Sequence, residues 1–588
     1  MENWQTAGIG RVGSRGCTGP LDMKSTGADV RMQWGVRIPL RDGIHLNAIL
    51  YLPPEPLEPR PVIFTLTPYV AQTSHDRGLY FASHGYPFLC VDVRGRGDSE
   101  GEFEPLINEA RDGFDITEWL ATQPYCNGKV AMWGGSYSGY TQWATAREHP
   151  PHLATIVPAA APFIGADFPG RSNLPTPYLM QWLTLVWGRT SQDKLFWKNE
   201  LYWGERFRQW FESGAAFRDL DRQLGSPSPV FQRWLEHPFQ DAYWDRYNPT
   251  AQQYANMSLP VLTITGCYDG DQPGALAHYA EHLKHCPVEI RSRHYLVIGP
   301  WDHAGTRTPA TQFGGLEVGA ASMVDLPALH LQWYAWTLQG GPKPEFLRKN
   351  VAYYLMVADQ WRYADTLEEV TRQHEPLYLS STVNPTDVFH SGTLGAAPAT
   401  NSGPDHYVHD PRDLGRASLE STVDPQSRVD QRMLFASVGK LLVYHSAPFE
   451  RDTEVSGFFK LSAWLSIDQP DTDFRAWVYD VAIDGGATQL CFDSIRARYR
   501  LGLREPVLVN TDQPLRYDFE RFMFVSRLIR KGHRLRLVIG PLHSIYNQKN
   551  YNTGGDIASQ TVADARPVTV RLFHDPSHPS VLQVPIGS

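Results

Sequence analysis

The sequence predicts a doubly wound α/β domain that is interrupted by a helical cap and followed by an all-β domain of the sandwich or jelly-roll type. Three observations support this prediction. Short, almost wholly apolar runs alternate with helical patterns over most of the first 344 residues, as in parallel sheets buried on both faces. Residues 163–258 are rich in Trp and Phe at helical spacing and contain no strand-like run. From residue 345 onward, short alternating runs are broken by Pro, Gly, Asp and Asn.

The first predicted element is a β-hairpin, because residues 36–53 alternate in polarity around an Asp-Gly pair. Six buried strands follow, with the sequences PVIFTLTPYV, YPFLCVDVRGRGDS, KVAMWGGS, LATIVPAAAP, PVLTITGCYDG and HYLVIGPWDH. Helical patterns separate several of them, at residues 109–123, 137–149 and 274–285. The predicted divisions are a loose arm at 1–34, the α/β domain at 35–162 and 259–344, the cap at 163–258, and the all-β domain at 345–588.

Composition excludes some classes of function. The 588-residue chain has a net charge of −9, so a nucleic-acid partner is not expected. Six scattered cysteines show neither CxxC spacing nor a zinc pattern, which favours free thiols in a reducing compartment. The N-terminal residues lack the apolar segment of a signal peptide, and no run reaches the ~18 apolar residues of a membrane span. A cytoplasmic protein with no membrane partner is therefore expected, and homo-oligomer formation stays open.

The candidate nucleophile is Ser136, which lies in the stretch GGSYSG between a predicted buried strand and a helix. A nucleophile elbow requires this context, because small neighbours permit a tight turn that projects the serine hydroxyl at the carboxyl end of the strand. The common elbow has a glycine two residues after the serine, and here that position holds the small Ser138. The alternative interpretation is an ordinary glycine-rich turn.

Candidate partners for a catalytic serine follow at the ends of two later strands. Asp269 and Asp271 end one strand, and His303 ends the next. A serine hydroxyl needs a base, and in this type of fold the acid and then the histidine follow the serine in the chain. His303 would take the proton of Ser136 through one ring nitrogen and donate through the other to one of the two aspartates.

Two groups are candidates for stabilising an oxyanion. The backbone N–H of Tyr137 comes with the elbow, because Tyr137 follows the serine directly. The phenol of Tyr69, in the loop after an early strand, is the second candidate donor. The alternative for Tyr69 is an aromatic side chain that plugs a Pro-Tyr turn.

Several motifs along the chain carry a family resemblance. In the catalytic half they are TPY at 67–69, DVRGRGDSEGEF at 92–103, GGSYSG at 134–139, YDG at 268–270 and GPWDH at 299–303. HPFQDAYWD in the cap and DFRAWVYDV, RARYR, GHRLRLVIG and NYNTGG in the C-terminal part add to them. Together they resemble the superfamily of X-Pro dipeptidyl peptidases, cocaine esterase and α-amino-acid ester hydrolases. The resemblance covers nearly everything from about residue 35 onward.

The resemblance implies an α/β-hydrolase domain, an inserted helical cap and a C-terminal jelly roll. Matched motif by motif, Ser136 is the nucleophile, His303 the base and Asp269, the aspartate of YDG, the orienting acid. The Tyr69 side chain and the Tyr137 backbone become the oxyanion donors. The implied reaction is hydrolysis of a small-molecule ester or amide, or of a short peptide, through an acyl-enzyme. It requires no metal or organic cofactor.

Rival functions remain open at this stage. The first is a carboxylesterase, and the second is an aminopeptidase or α-amino-acid ester hydrolase, which must hold a substrate ammonium between carboxylates. Asp271 and Asp167 are candidates for that role, although Gln272 stands where the family pattern is acidic. Only ~35 residues precede the hydrolase domain, whereas X-Pro dipeptidyl peptidases carry a sizeable domain there. Acyl transfer and a catalytically inactive binding protein are further alternatives.

Overall fold

The computed structural model describes residues 29–55, 58–193, 200–399 and 403–587, so most of the predicted N-terminal arm lies outside the described residues. The α-helices are His75–Ser83, Glu109–Ala121, Tyr137–Ala146, Tyr178–Leu185, Glu200–Ser213, Leu220–Gln223, Pro229–Leu235, Ala242–Asp245, Ala251–Asn256, Gln272–His285, Val288–Arg291, Leu326–Gln339, Ala417–Glu420 and Arg432–Phe435. Short 3₁₀ helices are Ala71–Ser74, Phe217–Asp219, Ala320–Ser322, Glu368–Val370, Ala497–Tyr499 and Val562–Asp564.

The first fourteen strands are β1 (Arg31–Pro39), β2 (His45–Leu52), β3 (Arg60–Thr67), β4 (Phe88–Asp92), β5 (Cys126–Gly135), β6 (Leu153–Ala159), β7 (Gly170–Arg171), β8 (Leu174–Pro175), β9 (Val261–Tyr268), β10 (His294–Asp302), β11 (Gln312–Phe313), β12 (Leu316–Glu317), β13 (Val351–Leu355) and β14 (Gln360–Ala364). The short pairs β7–β8 and β11–β12 stand apart from the main sheet. The other ten strands form one sheet in the order β1-β2-β4-β3-β5-β6-β9-β10-β13-β14.

The middle of this sheet is parallel, from β4 through β13, and its outer strands pair antiparallel. Strand order reverses around β3, which has β4 on one side and β5 on the other. In sheets of this kind, ligands bind outside the carboxyl ends of the strands at such a reversal. The chain immediately after β3 and β5 is therefore where a site is expected.

Helices cover both faces of the sheet. Successive residues of a strand point to opposite faces, so both sets of side chains are buried. In β3, Phe64 packs in a core with Ile116 and Trp143 from helices on one face, whereas Ile63 packs with Phe81 on the other. The apolar runs of the sequence follow from this two-sided burial.

Between β6 and β9 the chain is mainly helical and packs into one aromatic core. That core joins Trp182, Trp210 and Trp234 to Tyr137 and Tyr140 of the helix that follows Ser136. It also takes in residues of the C-terminal part, Ile545 and Ala558. The helical segment therefore lies against both the carboxyl ends of the main sheet and the C-terminal part.

The C-terminal strands are β15 (Thr371–Ser380), β16 (Gly392–Gly395), β17 (Asp405–His409), β18 (Leu442–Ser446), β19 (Thr453–Gly457), β20 (Lys460–Ile467), β21 (Asp473–Val481), β22 (Ala487–Arg496), β23 (Leu515–Phe519), β24 (Val525–Ile529), β25 (Arg534–Pro541), β26 (Val568–Phe573) and β27 (Val581–Gly587). They form one thirteen-stranded network, almost entirely antiparallel, around its own apolar core. Alternation along strands such as β17 follows from burial on one face, whereas β18 and β25 are buried along nearly their whole length.

Two segments next to the predicted divisions pair with strands of the first sheet. Residues 351–364, assigned from the sequence to the C-terminal domain, form β13 and β14 and extend the first sheet instead. Their alternating pattern is shared by half-exposed edge strands and sandwich strands, so periodicity did not separate the two. At the other end, β1 begins at Arg31, inside the predicted arm, and pairs with β2.

Two general features bear on the environment of the protein. Cys90, Cys126, Cys267, Cys286 and Cys491 are buried and free, and Cys17 lies outside the described residues. Across the described ranges, no helix is both long and apolar enough to cross a membrane. The cytoplasmic location stays a prediction.

Candidate active site

Ser136 directly follows β5 and begins the turn into helix Tyr137–Ala146. Its φ of 60° and ψ of −127° are strained for a residue with a side chain. The turn leaves little room, since a Cβ on Gly139 would lie 2.7 Å from the carbonyl oxygen of Ala159. That same carbonyl accepts the N–H of Ser136 at 2.9 Å. The local backbone thus has the geometry that a nucleophile elbow requires.

Ser138 is buried two residues after Ser136, at the position where the common elbow has a glycine. Its hydroxyl donates to the carbonyl oxygen of Leu66 in β3 at 3.1 Å. A Cβ on Gly134 would come within 2.5 Å of the Ser138 side chain, so only glycine fits there. Ser138 therefore ties the elbow to the neighbouring strand.

Asp269 and His303 form a hydrogen-bonded pair at the ends of β9 and β10. The Nδ1 atom of His303 lies 2.8 Å from Oδ1 of Asp269, which is fully buried. The same Oδ1 accepts the N–H of Asp271 at 3.0 Å, and Oδ2 accepts the hydroxyl of Thr265 at 2.9 Å. These contacts fix the carboxylate and leave Nε2 of the imidazole free to act as a base.

The charges of this pair reinforce each other. Burial by itself would raise the pKa of Asp269, but the charge of His303 and the hydrogen bonds to the carboxylate lower it below its usual value. Burial and the charge of Arg307 act to lower the pKa of His303, and the contacts with Asp269 outweigh them and raise it. Asp269 is therefore ionised when His303 takes a proton.

Asp271 lies near the pair without forming its main contact. Its Oδ2 is 3.7 Å from Nδ1 of His303, compared with 2.8 Å for Asp269. Its side chain is 25% exposed, whereas that of Asp269 is fully buried. Burial raises the pKa of Asp271 to about 6, and the charge of Asp269 adds to this rise. The two aspartates therefore differ in their distance to His303, in their exposure and in the direction of their pKa shifts.

Tyr69 brings its phenol to the same crevice from the loop after β3. The indole Nε1 of Trp182 donates to the phenol oxygen at 3.2 Å. Ser136 is a hydrogen-bonding neighbour that lowers the pKa of Tyr69, although burial outweighs it and raises that pKa overall. Because the indole can only donate, it occupies an acceptor position and leaves the phenol proton for the crevice.

The loop that carries Tyr69 is held by residues of the DVRGRGDS motif. A carboxylate oxygen of Asp92 accepts the N–H of Ala71 at 2.6 Å. Arg96 is fully buried and donates to the carbonyl oxygen of Pro68 at 2.8 Å and to that of Val186, in the helical segment, at 2.7 Å. Arg96 thereby fixes the Tyr69 loop and the helical segment relative to each other.

Tyr137 offers its backbone rather than its side chain. As the first residue of its helix, its N–H has no partner within the helix. Its phenol donates to the buried carboxyl of Glu109 and accepts the N–H of Leu106 at 2.7 Å. The ring also stacks on Trp182 with centroids 6.0 Å apart. These contacts hold the side chain away from the crevice and fix the backbone N–H.

Asp167 and Gln272 are engaged by backbone groups. The carboxylate of Asp167 accepts the N–H of Phe163 at 3.0 Å and that of Gly274 at 2.6 Å. Burial, and then the charge of Asp271, raises the pKa of Asp167 well above its usual value. The amide of Gln272 donates to the carbonyl of Phe524 at 3.1 Å and accepts its N–H at 2.6 Å, which an ionised glutamate could not do.

Two residues at the site were not predicted from the sequence. Trp182 lies in the segment that is rich in Trp and Phe at helical spacing, and nothing in that spacing separates a residue lining a site from a core residue. Arg307 follows His303 by four residues, and its charge acts on Tyr69, Asp271 and His303. Its position just after a catalytic loop was the signal that could have found it.

The chain matches two family models. The model of X-Pro dipeptidyl-peptidase (S15 family) matches residues 42–305, and that of the X-Pro dipeptidyl-peptidase C-terminal non-catalytic domain matches residues 346–583. Cocaine esterase from Rhodococcus sp. (strain MB1 Bresler) is 27% identical over 579 residues, covering 94% of this chain and 98% of that protein.

Solved structures agree with the architecture. An α-amino acid ester hydrolase labelled with selenomethionine has a TM-score of 0.81 at 21% identity, covering 97% of this chain and 100% of the other. An aminopeptidase from the marine sediment archaeon Thaumarchaeota archaeon has a TM-score of 0.82 at 22% identity, covering 96% and 97%. At these identities the likeness shows the fold, an α/β-hydrolase-type domain with a separate C-terminal β domain.

Proposed function

This chain belongs to the S15 family of X-Pro dipeptidyl peptidases and related esterases and is a serine hydrolase of ester or peptide substrates; we propose that it is a carboxylesterase acting through an acyl-enzyme at Ser136. The observation that carries the proposal is the 2.8 Å contact between His303 and the buried Asp269, beside a strained elbow that holds Ser136. Nucleophile, base and acid thus come from the ends of three strands of one sheet.

In the proposed reaction, the Ser136 hydroxyl attacks the carbonyl carbon while Nε2 of His303 takes its proton. Nδ1 of His303 keeps its own proton in the bond to Asp269, which fixes the tautomer and stabilises the imidazolium. The imidazolium then protonates the leaving group, and an acyl-enzyme remains. Water attacks that ester in the second half, with His303 again acting as the base.

The oxyanion of the tetrahedral intermediate would be bound by the backbone N–H of Tyr137 and the phenol of Tyr69. The raised pKa of Tyr69 supports this role, because the phenol then stays protonated at any working pH. The bond from Trp182 supports it too, since it directs the phenol proton into the crevice. One donor is fixed by the elbow and the other by the helical segment.

Recognition of a substrate α-ammonium is the second candidate function, and Asp271 is the observation that favours it. At neutral pH its carboxylate is largely ionised and partly exposed at the crevice. The rest of an acidic cluster is weak, because Asp167 is held by two backbone N–H groups and Gln272 by Phe524. Arg307 adds a positive charge nearby. The balance favours an esterase whose substrate has no α-amine.

The finer architecture belongs to the same proposal. We place an inserted helical cap between β6 and β9, within the predicted residues 163–258, because its aromatic core packs on the helix after Ser136. We place the second part of the hydrolase domain through Ala364, where β14 ends. The C-terminal antiparallel strands from Thr371 onward are proposed to be a jelly roll.

The test is a substrate screen on the intact enzyme. 4-Nitrophenyl esters and 4-nitroanilides are compared as matched acyl groups with and without a free α-amine, and products are analysed with and without an added amine nucleophile. We expect turnover of simple esters to exceed that of aminoacyl esters and anilides, with free acid as the product. Exclusive turnover of α-amino substrates would favour the second candidate, and amide products would indicate acyl transfer.

A further inference from the structure

Arg307 lies against the backbone that carries the nucleophile. A Cβ on Gly135, the residue before Ser136, would come within 2.6 Å of Nη1 and 2.7 Å of Cδ of Arg307. The absence of a side chain at Gly135 is therefore what makes room for Arg307. The loop is fixed as well, since the Arg307 carbonyl accepts a bond from Arg77 at 3.0 Å and its N–H donates to Ala304 at 3.1 Å.

Among the residues that the structure describes, no acidic side chain comes within 4.0 Å of the guanidinium of Arg307. Its Nη1 donates to the hydroxyl of Thr306 at 3.3 Å. The residue is only partly exposed. A guanidinium has five N–H donors, and withdrawing such a cation from water without a counter-charge is costly. Most of its donor capacity is thus available to a ligand.

We propose that Arg307 binds a carboxylate of the substrate, so that the enzyme hydrolyses esters or amides that bear an acid group near the scissile carbonyl. This proposal rests on the proposed esterase function at Ser136. A guanidinium pairs with a carboxylate through two parallel N–H bonds, which gives orientation as well as affinity. The carboxylate belongs either to the acyl group or to the leaving group, and the contact of Arg307 with Gly135 is compatible with both.

Asp271 bears on the strength of this preference. Its negative charge faces the same crevice and would repel a substrate carboxylate. It would also partly neutralise the positive charge of Arg307. The proposal therefore requires that removing the charge of Asp271 increases the preference for acidic substrates. A purely structural role for Arg307 instead predicts that Arg307→Gln leaves the preference for acidic substrates unchanged.

The experiment compares wild type with Arg307→Gln, Arg307→Lys and Asp271→Asn on two substrate pairs. The acyl pair is mono-4-nitrophenyl glutarate and 4-nitrophenyl pentanoate, and the leaving-group pair is 4-acetoxybenzoate and 4-carbamoylphenyl acetate. We expect wild type to favour the acid member of one pair. Arg307→Gln should reduce that kcat/KM ratio roughly 10- to 100-fold, mainly through KM, as expected for loss of a charge-assisted hydrogen bond. Arg307→Lys should retain part of it, and Asp271→Asn should increase it.

Two outcomes would overturn the proposal: wild type that prefers the neutral member of both pairs, or Arg307→Gln that lowers all four substrates by one common factor. The second result would assign Arg307 to the oxyanion or to the loop. Labelling of Ser136 by a fluorophosphonate reports the nucleophile separately. If Ser136 is labelled but no ester is turned over, protection against labelling tests the proposal instead. Glutarate, and not glutaramide, should then protect the wild type, and this protection should be lost in Arg307→Gln. If labelling itself fails, the esterase proposal falls, whatever Arg307 binds.

Discussion

Ser136, Asp269 and His303 each directly follow a strand in the parallel part of one sheet. The side chains around them come partly from the same loops and partly from distant segments of the chain. We call these three proposed catalytic residues the floor. We call the side chains around them the wall of the crevice. The wall consists of Trp182 from the helical segment together with Asp167, Asp271 and Arg307. The floor is fixed by short local turns and by hydrogen bonds that use every polar atom of Asp269. The wall contains charges that the protein leaves only partly neutralised.

This difference separates two kinds of function. A group fixed on the floor acts on the reacting atoms, so its loss should affect every substrate by a similar factor. A group of the wall contacts the variable part of the substrate or acts through a floor residue, so its loss should be smaller and depend on the substrate. Each variant below tests one side of that division.

Ser136→Ala should have the largest effect. Loss of the nucleophile typically lowers kcat by about 10⁴- to 10⁶-fold. The fold should remain intact, because the N–H of residue 136 still bonds to Ala159. Steady-state kinetics, fluorophosphonate labelling and circular dichroism check the result, with Ser138→Ala as the matched control that should retain labelling. Near-normal turnover in Ser136→Ala would contradict the assignment of Ser136 as the nucleophile.

Asp269→Asn should be next, with a loss of about 10⁴-fold in kcat that is equal for all esters. The amide can donate to Nδ1 of His303 and so favour the wrong tautomer. Asp271→Asn is the control, and it should leave most of the turnover because its carboxylate is the more distant, at 3.7 Å. If Asp271→Asn disables every substrate and Asp269→Asn does not, the acid of the triad has been assigned wrongly.

Tyr69→Phe should lower kcat by about 10²- to 10³-fold with little change in KM, because one oxyanion donor is lost and the Tyr137 N–H remains. Measurement of kcat and KM separately on two esters tests this. A change confined to KM would mean that Tyr69 binds substrate and that the second donor lies elsewhere.

Trp182→Phe tests a residue of the wall that acts through Tyr69. The variant keeps an aromatic ring against Tyr137 but removes the indole N–H that bonds to Tyr69. Loss of one neutral hydrogen bond corresponds to roughly a 2- to 10-fold decrease in kcat. In a Tyr69→Phe background the same substitution should have no further effect on kcat, since no phenol is left to orient. Additive losses in the double variant would show that Trp182 acts independently of Tyr69.

The sequence predicts the three floor residues and offers Asp167 and Asp271 of the wall as candidates, but it gives no signal for Trp182. Strand-to-helix turns place their own residues, so GGSYSG and GPWDH localise Ser136 and His303 from local pattern alone. The α/β alternation was visible for the same reason. Trp182 reaches Tyr69 across 113 positions, and Gln272 reaches Phe524 across 252, so neither contact leaves a local signal. The sequence also shows no sign that β13 and β14 extend the first sheet, because strand partners are set by the fold.

The last expected effect concerns stability rather than turnover, and it should have opposite signs for the two neighbouring aspartates. The pKa of Asp271 is raised from 3.8 to about 6, so the folded state binds this proton more tightly than the unfolded state. Stability then falls as pH rises from about 4 to 6, by up to about 3 kcal/mol, since one pKa unit corresponds to about 1.4 kcal/mol. Asp271→Asn should therefore raise Tm at pH 7.5, and the gain should shrink at pH 4.5.

Asp269 should behave in the opposite way, because its pKa is lowered in the folded state. Its ionised form contributes stability above the ordinary aspartate pKa, and that contribution is lost as pH falls through the folded value. Asp269→Asn should accordingly lower Tm at pH 7.5 and by nearly as much at pH 4.5, because both values lie above the ordinary aspartate pKa. Thermal unfolding of wild type and both variants at the two pH values tests the pair. Shifts of the same sign at pH 7.5 would contradict the view that the floor stabilises its charge while the wall holds one at a cost.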